Sequence, residues 1–163
     1  THDPALAQVA ADAQVPVCLM HAQGDPDEMQ KDPRYANALL DVYDFLEARI
    51  EVAVRAGIRA DQIITDPGIG FGKTVAHNLE IMNRLSLFHS LGCPVLLGAS
   101  RKSFIGAVAQ EPDATERLGG SLAVALAGVA QGVQILRVHD IKQTKQALAL
   151  WQAMSGGEYN DVP

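Results

Sequence analysis

The chain has 163 residues, of which 48% are hydrophobic, and a formal net charge of -6. This length suits one domain or a piece of a larger one, with enough apolar residues for a substantial core. The acidic balance disfavours nucleic acid as a partner, no apolar run reaches the roughly 18 residues of a membrane helix, and the start does not resemble a signal peptide.

The two cysteines, Cys18 and Cys93, lie in apolar, strand-like segments without the spacing of metal ligands. This usage predicts buried free thiols in a reducing compartment, so we expect a cytoplasmic protein. The chain opens on Thr1 rather than methionine and leads directly into a helical pattern, so we expect it to begin inside a longer protein.

Helical and strand-like patterns alternate along the chain. The first helix is predicted over residues 5–13, with Asp3 and Pro4 at its start. Short apolar runs predict buried strands over 15–21, 63–65, 94–98 and 134–140. Spacings of three and four residues predict further helices over 35–56, 77–91, 103–108, 115–131 and 141–154, before a flexible tail over 155–163.

The alternation of strands and helices, without a hairpin signal, predicts a parallel α/β sheet. A doubly wound sheet and a (β/α)8 barrel both fit this order. Each strand ends in polar residues, and convergence of such residues on one face is how a barrel builds a site. Four βα units would be half of a barrel. The polar strand ends are His21, Asp66, Ser100 with Arg101 and Lys102, and Arg137 with His139.

The most distinctive segment is the glycine loop, which we define as residues 66–73, Asp-Pro-Gly-Ile-Gly-Phe-Gly-Lys. Its glycines allow positive φ and a close approach of the backbone to a ligand. The spacing before Lys73 is one residue too short for a Walker A phosphate loop. An ordinary βα connection, with Asp66 capping the next helix, fits the same residues.

The strand ends offer groups that bind ligands rather than a nucleophile. Asp66 could accept paired N–H bonds from a 2-amino heterocycle, and Lys102 could donate to a ring carbonyl. Arg137 and His139, two residues apart, could hold a phosphate, and Ser100 could help to bind a carboxylate.

Each of these residues also has a purely structural interpretation. His21 is more often a hydrogen-bonded structural residue, and Met20 is by default a core residue. Ser100 to Lys102 fit a solvated helix start. Arg137 and His139 fit an inward pair satisfied by carboxylates, and Glu116-Arg117 fits an exposed ion pair.

Four segments together resemble one enzyme family in order and spacing. They are residues 19–24, 66–73, 98–103 and 137–140, and they resemble dihydropteroate synthase along residues 1–154. The resemblance implies a (β/α)8 barrel of which this chain supplies strands five to eight. It also implies a transferase of folate biosynthesis that joins 6-hydroxymethyl-7,8-dihydropterin pyrophosphate to p-aminobenzoate, releases pyrophosphate and is inhibited by sulfonamides.

The resemblance implies roles for the residues at the strand ends. Asp66 would bind the pterin ring, and Lys102 would bond to the pterin while lining the p-aminobenzoate pocket. Phe71 would pack beside p-aminobenzoate, and Ser100 would help to bind its carboxylate.

The same resemblance places Arg137 and His139 on the pyrophosphate, with Arg137 also stacking over the pterin. Met20 would line the pterin pocket, and Gly98 and Arg101 would complete the substrate-binding set. The residues expected to be catalytic are Lys102, Arg137 and His139.

The resemblance covers only the second half of the enzyme. The family's Mg2+ ligand lies in the first four strands, so Mg2+ is implied as a cofactor but no metal ligand is expected in this chain. Family members are usually homodimers. Half a barrel would expose two strand edges, so we expect no active monomer from these residues alone. A pterin-binding methyltransferase domain and a non-catalytic truncated homologue are the alternatives.

Overall fold

The computed structural model describes residues 5–24 and 31–156. The predicted helix start at Asp3 and Pro4 and residues 157–163 of the predicted tail lie outside these ranges. The strands are β1 (Val17–Met20), β2 (Ile63–Asp66), β3 (Leu96–Leu97) and β4 (Ile135–Leu136). The helices are α1 (Leu6–Ala13), α2 (Ala38–Arg55), α3 (Val75–Met82), α4 (Ser103–Ala109), α5 (Leu118–Ala130) and α6 (Ile141–Met154). Short 3-10 helices span Ala60–Gln62, Leu85–Leu91 and Ala114–Glu116.

The strands run parallel and neighbour each other in chain order. β1 pairs with β2, a bridge from Thr65 to Val95 joins β2 to β3, and β3 pairs with β4. Each strand is followed by a helical segment, as βα units require. The predicted parallel α/β architecture is therefore confirmed, and all four strand ends meet at one edge of the sheet.

The predicted helix over 77–91 is broken in the structure. α3 ends at Met82, and Arg84 adopts φ -137° and ψ 36°, which is not helical. The chain then continues as the 3-10 helix Leu85–Leu91, in which residues three apart lie on one side. Leu85 and Phe88, three residues apart, are thereby both fully buried.

The fourth strand is also shorter than predicted. Only Ile135 and Leu136 pair with β3, because β3 itself offers just two residues to the ladder. Residues 137–140 therefore form a loop after the strand rather than its end.

The core lies between the strands and the helices that cover them. A fully buried aliphatic or aromatic side chain contributes about 1.5–3 kcal/mol to stability. The largest fully buried side chains include Val42, Leu46, Ile63, Ile81, Leu85, Phe88 and Val95.

The faces of β1 differ in burial. Val17 and Leu19 pack against the core, whereas Cys18 and Met20 point to the opposite face and are exposed. The prediction that both cysteines are buried is therefore wrong for Cys18, because it lies on the exposed face of β1. Cys93 is buried, and both thiols are free. No helix in the described ranges is long and apolar enough to span a membrane.

Candidate active site

The carboxyl ends of β3 and β4 border a cavity of about 310 Å³. A larger groove of about 380 Å³ lies beside α1 and α2, but its lining is mainly apolar and lacks the polar strand-end residues. The chemistry therefore belongs to the smaller cavity. Its lining residues are Gly98, Ser100, Lys102, Arg137, Val138 and His139.

The glycine loop folds tightly against the end of β1. Gly68 has φ 67°, and a Cβ at this position would lie 1.8 Å from the carbonyl oxygen of His21. Only glycine fits there, which confirms the predicted use of positive φ. The Gly68 N–H donates to Oδ1 of Asp66 at 2.8 Å, so the loop holds one carboxylate oxygen in place.

Asp66 is a buried acid in a cationic environment. Only 4% of the residue is exposed, and burial raises the pKa of its carboxyl. The Gly68 N–H and then the positive charges of Arg137, Lys102 and Lys73 act in the opposite direction. Met20 is its register partner on β1, so the two side chains lie next to each other on the same face of the sheet.

Lys102 lies over the ring of Phe71. Its Nζ is 3.8 Å from the ring centroid, a cation–π contact. Burial lowers the pKa of Lys102, the charge of Arg137 lowers it further, and Asp66 opposes both. Phe71 thus supports an ammonium group at the edge of the cavity, in a loop where an aromatic residue otherwise has little to pack on.

Arg137 passes close to Gly98, another of the predicted site residues. A Cβ on Gly98 would lie 3.4 Å from Nε of Arg137, so the absence of a side chain lets the guanidinium lie near the β3 backbone. The Arg137 backbone N–H donates to the carbonyl oxygen of Leu97 at 3.0 Å, which fixes the start of the loop after β4.

Ser100 contacts His139 across the cavity floor. The backbone N–H of His139 donates to Oγ of Ser100 at 3.3 Å, and Nδ1 of His139 lies 3.1 Å from the same oxygen. Ser100 is buried, whereas His139 is exposed. The serine predicted to bind a carboxylate thus has its hydroxyl engaged with a second predicted site residue.

Arg101 is bound to Asp140 in the structure. Its Nε donates to Oδ2 of Asp140 at 3.0 Å, and a second nitrogen contacts Oδ1. This contact lowers the pKa of Asp140. The pair connects the loop after β3 to the start of α6, so the guanidinium of Arg101 supports the cavity wall.

Arg117 does not form the predicted exposed ion pair with Glu116. Its guanidinium donates to backbone carbonyl oxygens of Arg101, Glu111 and Pro112. Arg117 therefore holds together the backbone on both sides of α4, an arrangement that no local charge pattern indicates.

Lys73 and His21 form a buried contact that the sequence patterns did not predict. Nζ of Lys73 lies 2.8 Å from Nδ1 of His21. The structural interpretation of His21 is confirmed, because its buried ring is hydrogen-bonded. The sequence signal for this contact is the position of Lys73, a charged residue directly after three interleaved glycines.

The described residues do not fit Mg2+. They contain no group of three or more His, Cys, Asp or Glu side chains that could hold a metal ion. Asp66, the buried carboxylate at the end of β2, has Lys102, Arg137 and Lys73 as its charged neighbours. This environment suits a hydrogen-bonded organic ligand or an anion, and we assign no reaction step to a metal here.

Known proteins are similar to this chain in sequence and fold. Residues 1–139 match the family model described as "Pterin binding enzyme". The chain is 45% identical to dihydropteroate synthase of Haemophilus influenzae over 151 residues, which are 93% of this chain and 54% of that protein. The chain thus spans about half the length of the curated relatives it matches.

Solved structures give the same result. The chain superposes with a TM-score of 0.90 and 40% identity on dihydropteroate synthase from Thermus thermophilus in complex with 4-aminobenzoate, covering 94% of this chain and 62% of that one. It superposes equally, at 41% identity, on the Yersinia pestis enzyme with a sulfonamide drug complex, covering 94% and 56%. The chain belongs to the pterin binding enzyme family, and its relatives are dihydropteroate synthases.

Proposed function

We propose that the cavity forms part of the active site of a dihydropteroate synthase. The enzyme would condense 6-hydroxymethyl-7,8-dihydropterin pyrophosphate with p-aminobenzoate in folate biosynthesis. The observation that carries this proposal is the position of Lys102, with its ammonium 3.8 Å above the ring of Phe71 and Asp66 and Arg137 near enough to shift its pKa. Acid, ammonium, guanidinium and aromatic face together suit an aminated, carbonyl-bearing ring that carries a phosphate group.

The pterin would bind to Asp66 and Lys102. The carboxylate of Asp66 accepts hydrogen bonds from the ring N–H groups, and Lys102 donates to the ring carbonyl. Met20 lines the pterin pocket beside Asp66, and Gly98 lets Arg137 lie close over the ring.

The pyrophosphate would bind to Arg137 and His139. Both line the cavity, and guanidinium and imidazole N–H groups bind phosphate oxygens well. Ser100 contributes through its contact with His139 and Arg101 through its ion pair with Asp140.

The p-aminobenzoate would pack beside Phe71 in a pocket that Lys102 also lines, with Ser100 at its carboxylate end. Sulfonamides, one of which was solved with the Yersinia pestis enzyme, would occupy the same pocket.

The reaction needs positioning and charge stabilisation rather than a nucleophilic side chain. The C–O bond to pyrophosphate breaks, and its electron pair leaves with the pyrophosphate, which Arg137 and His139 stabilise. The lone pair of the neutral amine then forms the C–N bond at the pterin methylene carbon, and the amine releases a proton. Lys102 holds both reactants in line.

Further features belong to the whole enzyme and are proposed with it. Residues 1–154 would supply strands five to eight of a (β/α)8 barrel, Mg2+ would be held by residues other than those described, and the enzyme would be a homodimer. The free thiols of Cys18 and Cys93 fit a cytoplasmic location.

Product formation by the whole enzyme, compared as wild type, as Lys102→Met and as the exposed control Lys142→Met, tests the proposal. We expect dihydropteroate from wild type and control, and a loss of about 100-fold or more in Lys102→Met, because one charged donor near the reacting groups is removed. No product from the wild type would overturn the function. Wild-type turnover in a folded Lys102→Met protein would remove Lys102 from the mechanism.

A further inference from the structure

Lys73 is a buried ammonium whose donors all have acceptors. Only 3% of the residue is exposed. Its Nζ lies 2.9 Å from the carbonyl oxygen of Gly68, 3.1 Å from that of Phe71 and 2.8 Å from Nδ1 of His21. A lysine ammonium has three donors and no acceptor, so these three contacts satisfy it completely. Such pairing is what allows a charge to be buried at tolerable cost.

The contact fixes the state of His21. Below its pKa of about 7, Lys73 is an ammonium that can only donate, so Nδ1 of His21 accepts and the ring proton is on Nε2. Burial and the charge of Lys73 lower the pKa of His21 to about 4, so the imidazole is neutral at pH 7. The ring of Phe45 meets it edge-on at 4.8 Å between centroids, which holds its orientation.

The same ammonium connects the two sides of the glycine loop. The carbonyl oxygen of Gly68 accepts from Lys73, and the N–H of Gly68 donates to Oδ1 of Asp66. The carbonyl oxygen of Phe71 also accepts from Lys73, and the ring of Phe71 lies beneath Lys102. The backbone N–H of His21 also donates to the Asp66 carbonyl oxygen at 3.0 Å. One buried side chain thus joins the end of β1 to the peptides that flank two proposed ligand-binding residues.

We propose that Lys73 is a positioning residue, whose three hydrogen bonds hold the glycine loop so that Asp66 and Phe71 present their side chains to pterin and p-aminobenzoate. The inference rests on the proposed function for the ligands, but its geometric part concerns the unliganded loop alone. Lys73 itself does not contact a substrate.

The first test needs no ligand. Amide hydrogen exchange is compared in wild type, Lys73→Met and the exposed control Lys142→Met. We expect amides over 68–72 to exchange about 10-fold faster or more in Lys73→Met, with exchange in α2 and α5 unchanged, because the loop loses its anchor. Equal exchange in the loop of both variants would overturn the proposal.

A measurement on the wild type covers the case in which Lys73→Met does not fold. Nitrogen-15 NMR of the imidazoles at about pH 6, above the pKa of His21 and below that of Lys73, should find His21 neutral with its proton on Nε2, and the Lys73 ammonium protons slower to exchange than those of Lys142. A proton on Nδ1 of His21, or equally fast exchange for both lysines, would contradict the proposed contact.

The catalytic consequence is read from steady-state kinetics. Lys73→Ala should raise the KM for p-aminobenzoate about 10-fold or more, because a loop displaced by a fraction of an ångström presents Phe71 poorly. Ethylammonium should restore much of the loss by replacing the missing donors, whereas ethanol should not. An unchanged KM, or equal rescue by both compounds, would overturn the positioning role. If the wild type made no dihydropteroate, the proposed function would fail, while the exchange and NMR measurements would still decide the role of Lys73.

Discussion

At the scale of single residues, the site depends on charges held close together by burial. Burial is the largest cause of the displaced pKa of Asp66, Lys102 and Lys73, and charged neighbours also act on the pKa of each group. For Lys73 the result is a pKa of about 7, with Asp66 acting to raise it. Groups in this environment interact strongly, so a single neutral substitution should change ligand binding measurably.

Arg137 should matter more for one ligand than for the other. We expect Arg137→Ala to weaken pyrophosphate binding by about 10- to 100-fold, the value of a lost charge-assisted hydrogen bond or two, and to change p-aminobenzoate binding much less. Calorimetric titration with each ligand measures both effects. Equal losses for the two ligands would contradict the assignment of Arg137 to the anion.

His21 should make the stability of the protein sensitive to acid. Its pKa is about 4 when folded against 6.5 when free, so the unfolded chain takes up the proton first as pH falls. The neutral His21 contributes up to about 3 kcal/mol to the free energy of unfolding. This contribution is fully present above pH 6.5 and is lost as pH falls from 6.5 to 4. Urea unfolding at several pH values measures this effect. As pH falls from 6.5 to 4, the free energy of unfolding should decrease less steeply in His21→Gln than in wild type. Equal slopes for the two proteins would show that His21 is not the responsible group.

At the scale of elements, the glycine loop is the part that accepts the least change. Gly68 and Gly92 both have positive φ, of 67° and 74°, but a Cβ on Gly92 would meet nothing within 4 Å. A side chain at Gly92 would therefore meet backbone strain alone, whereas a side chain at Gly68 would meet the same strain and a steric clash.

Substitution of each glycine by alanine tests this difference. Gly92→Ala should cost only the left-handed strain, about 1 kcal/mol of unfolding free energy. Gly68→Ala should cost clearly more and should also weaken ligand binding, because its Cβ would collide with the His21 carbonyl. Equal costs in urea unfolding would mean that the loop can move away without consequence.

Sequence patterns predict the elements and the strand ends well, because both depend on local spacing. The apolar runs locate the four strands; Asp66 is the last residue of β2, Arg137 directly follows β4, and Lys102 lies in the loop after β3. The break at Arg84 was not predicted, since the apolar spacing of Leu85 and Phe88 suits an α-helix and a 3-10 helix alike.

Side-chain partners across the fold could not be predicted in the same way. Lys73 and His21 are 52 residues apart, and their contact exists only once β1 and β2 pair. Arg101 and Asp140 meet for a similar reason across 39 residues. The exposure of Cys18 depends on which elements cover β1, which its own neighbours in sequence do not determine.

At the scale of the whole molecule, the outer edges of β1 and β4 adjoin open grooves. The groove at β1 has a volume of about 380 Å³, and the groove at β4, beside α6, about 400 Å³. Within the described residues each of these strands has a partner on one side only. The candidate active site consists of residues at the ends of these four neighbouring strands. Its affinity for the pterin is the property that decides the proposed function.

Calorimetric titration with 6-hydroxymethyl-7,8-dihydropterin pyrophosphate tests the central claim most directly. The proteins to compare are the whole enzyme as wild type, as Asp66→Asn and as the exposed control Asp44→Asn. We predict saturable binding by wild type and control, and binding at least about 10-fold weaker in Asp66→Asn, because one carboxylate oxygen is replaced by an NH2 group that cannot accept from the ring N–H groups. Absence of binding by the wild type, or equal affinity in Asp66→Asn, would contradict the account.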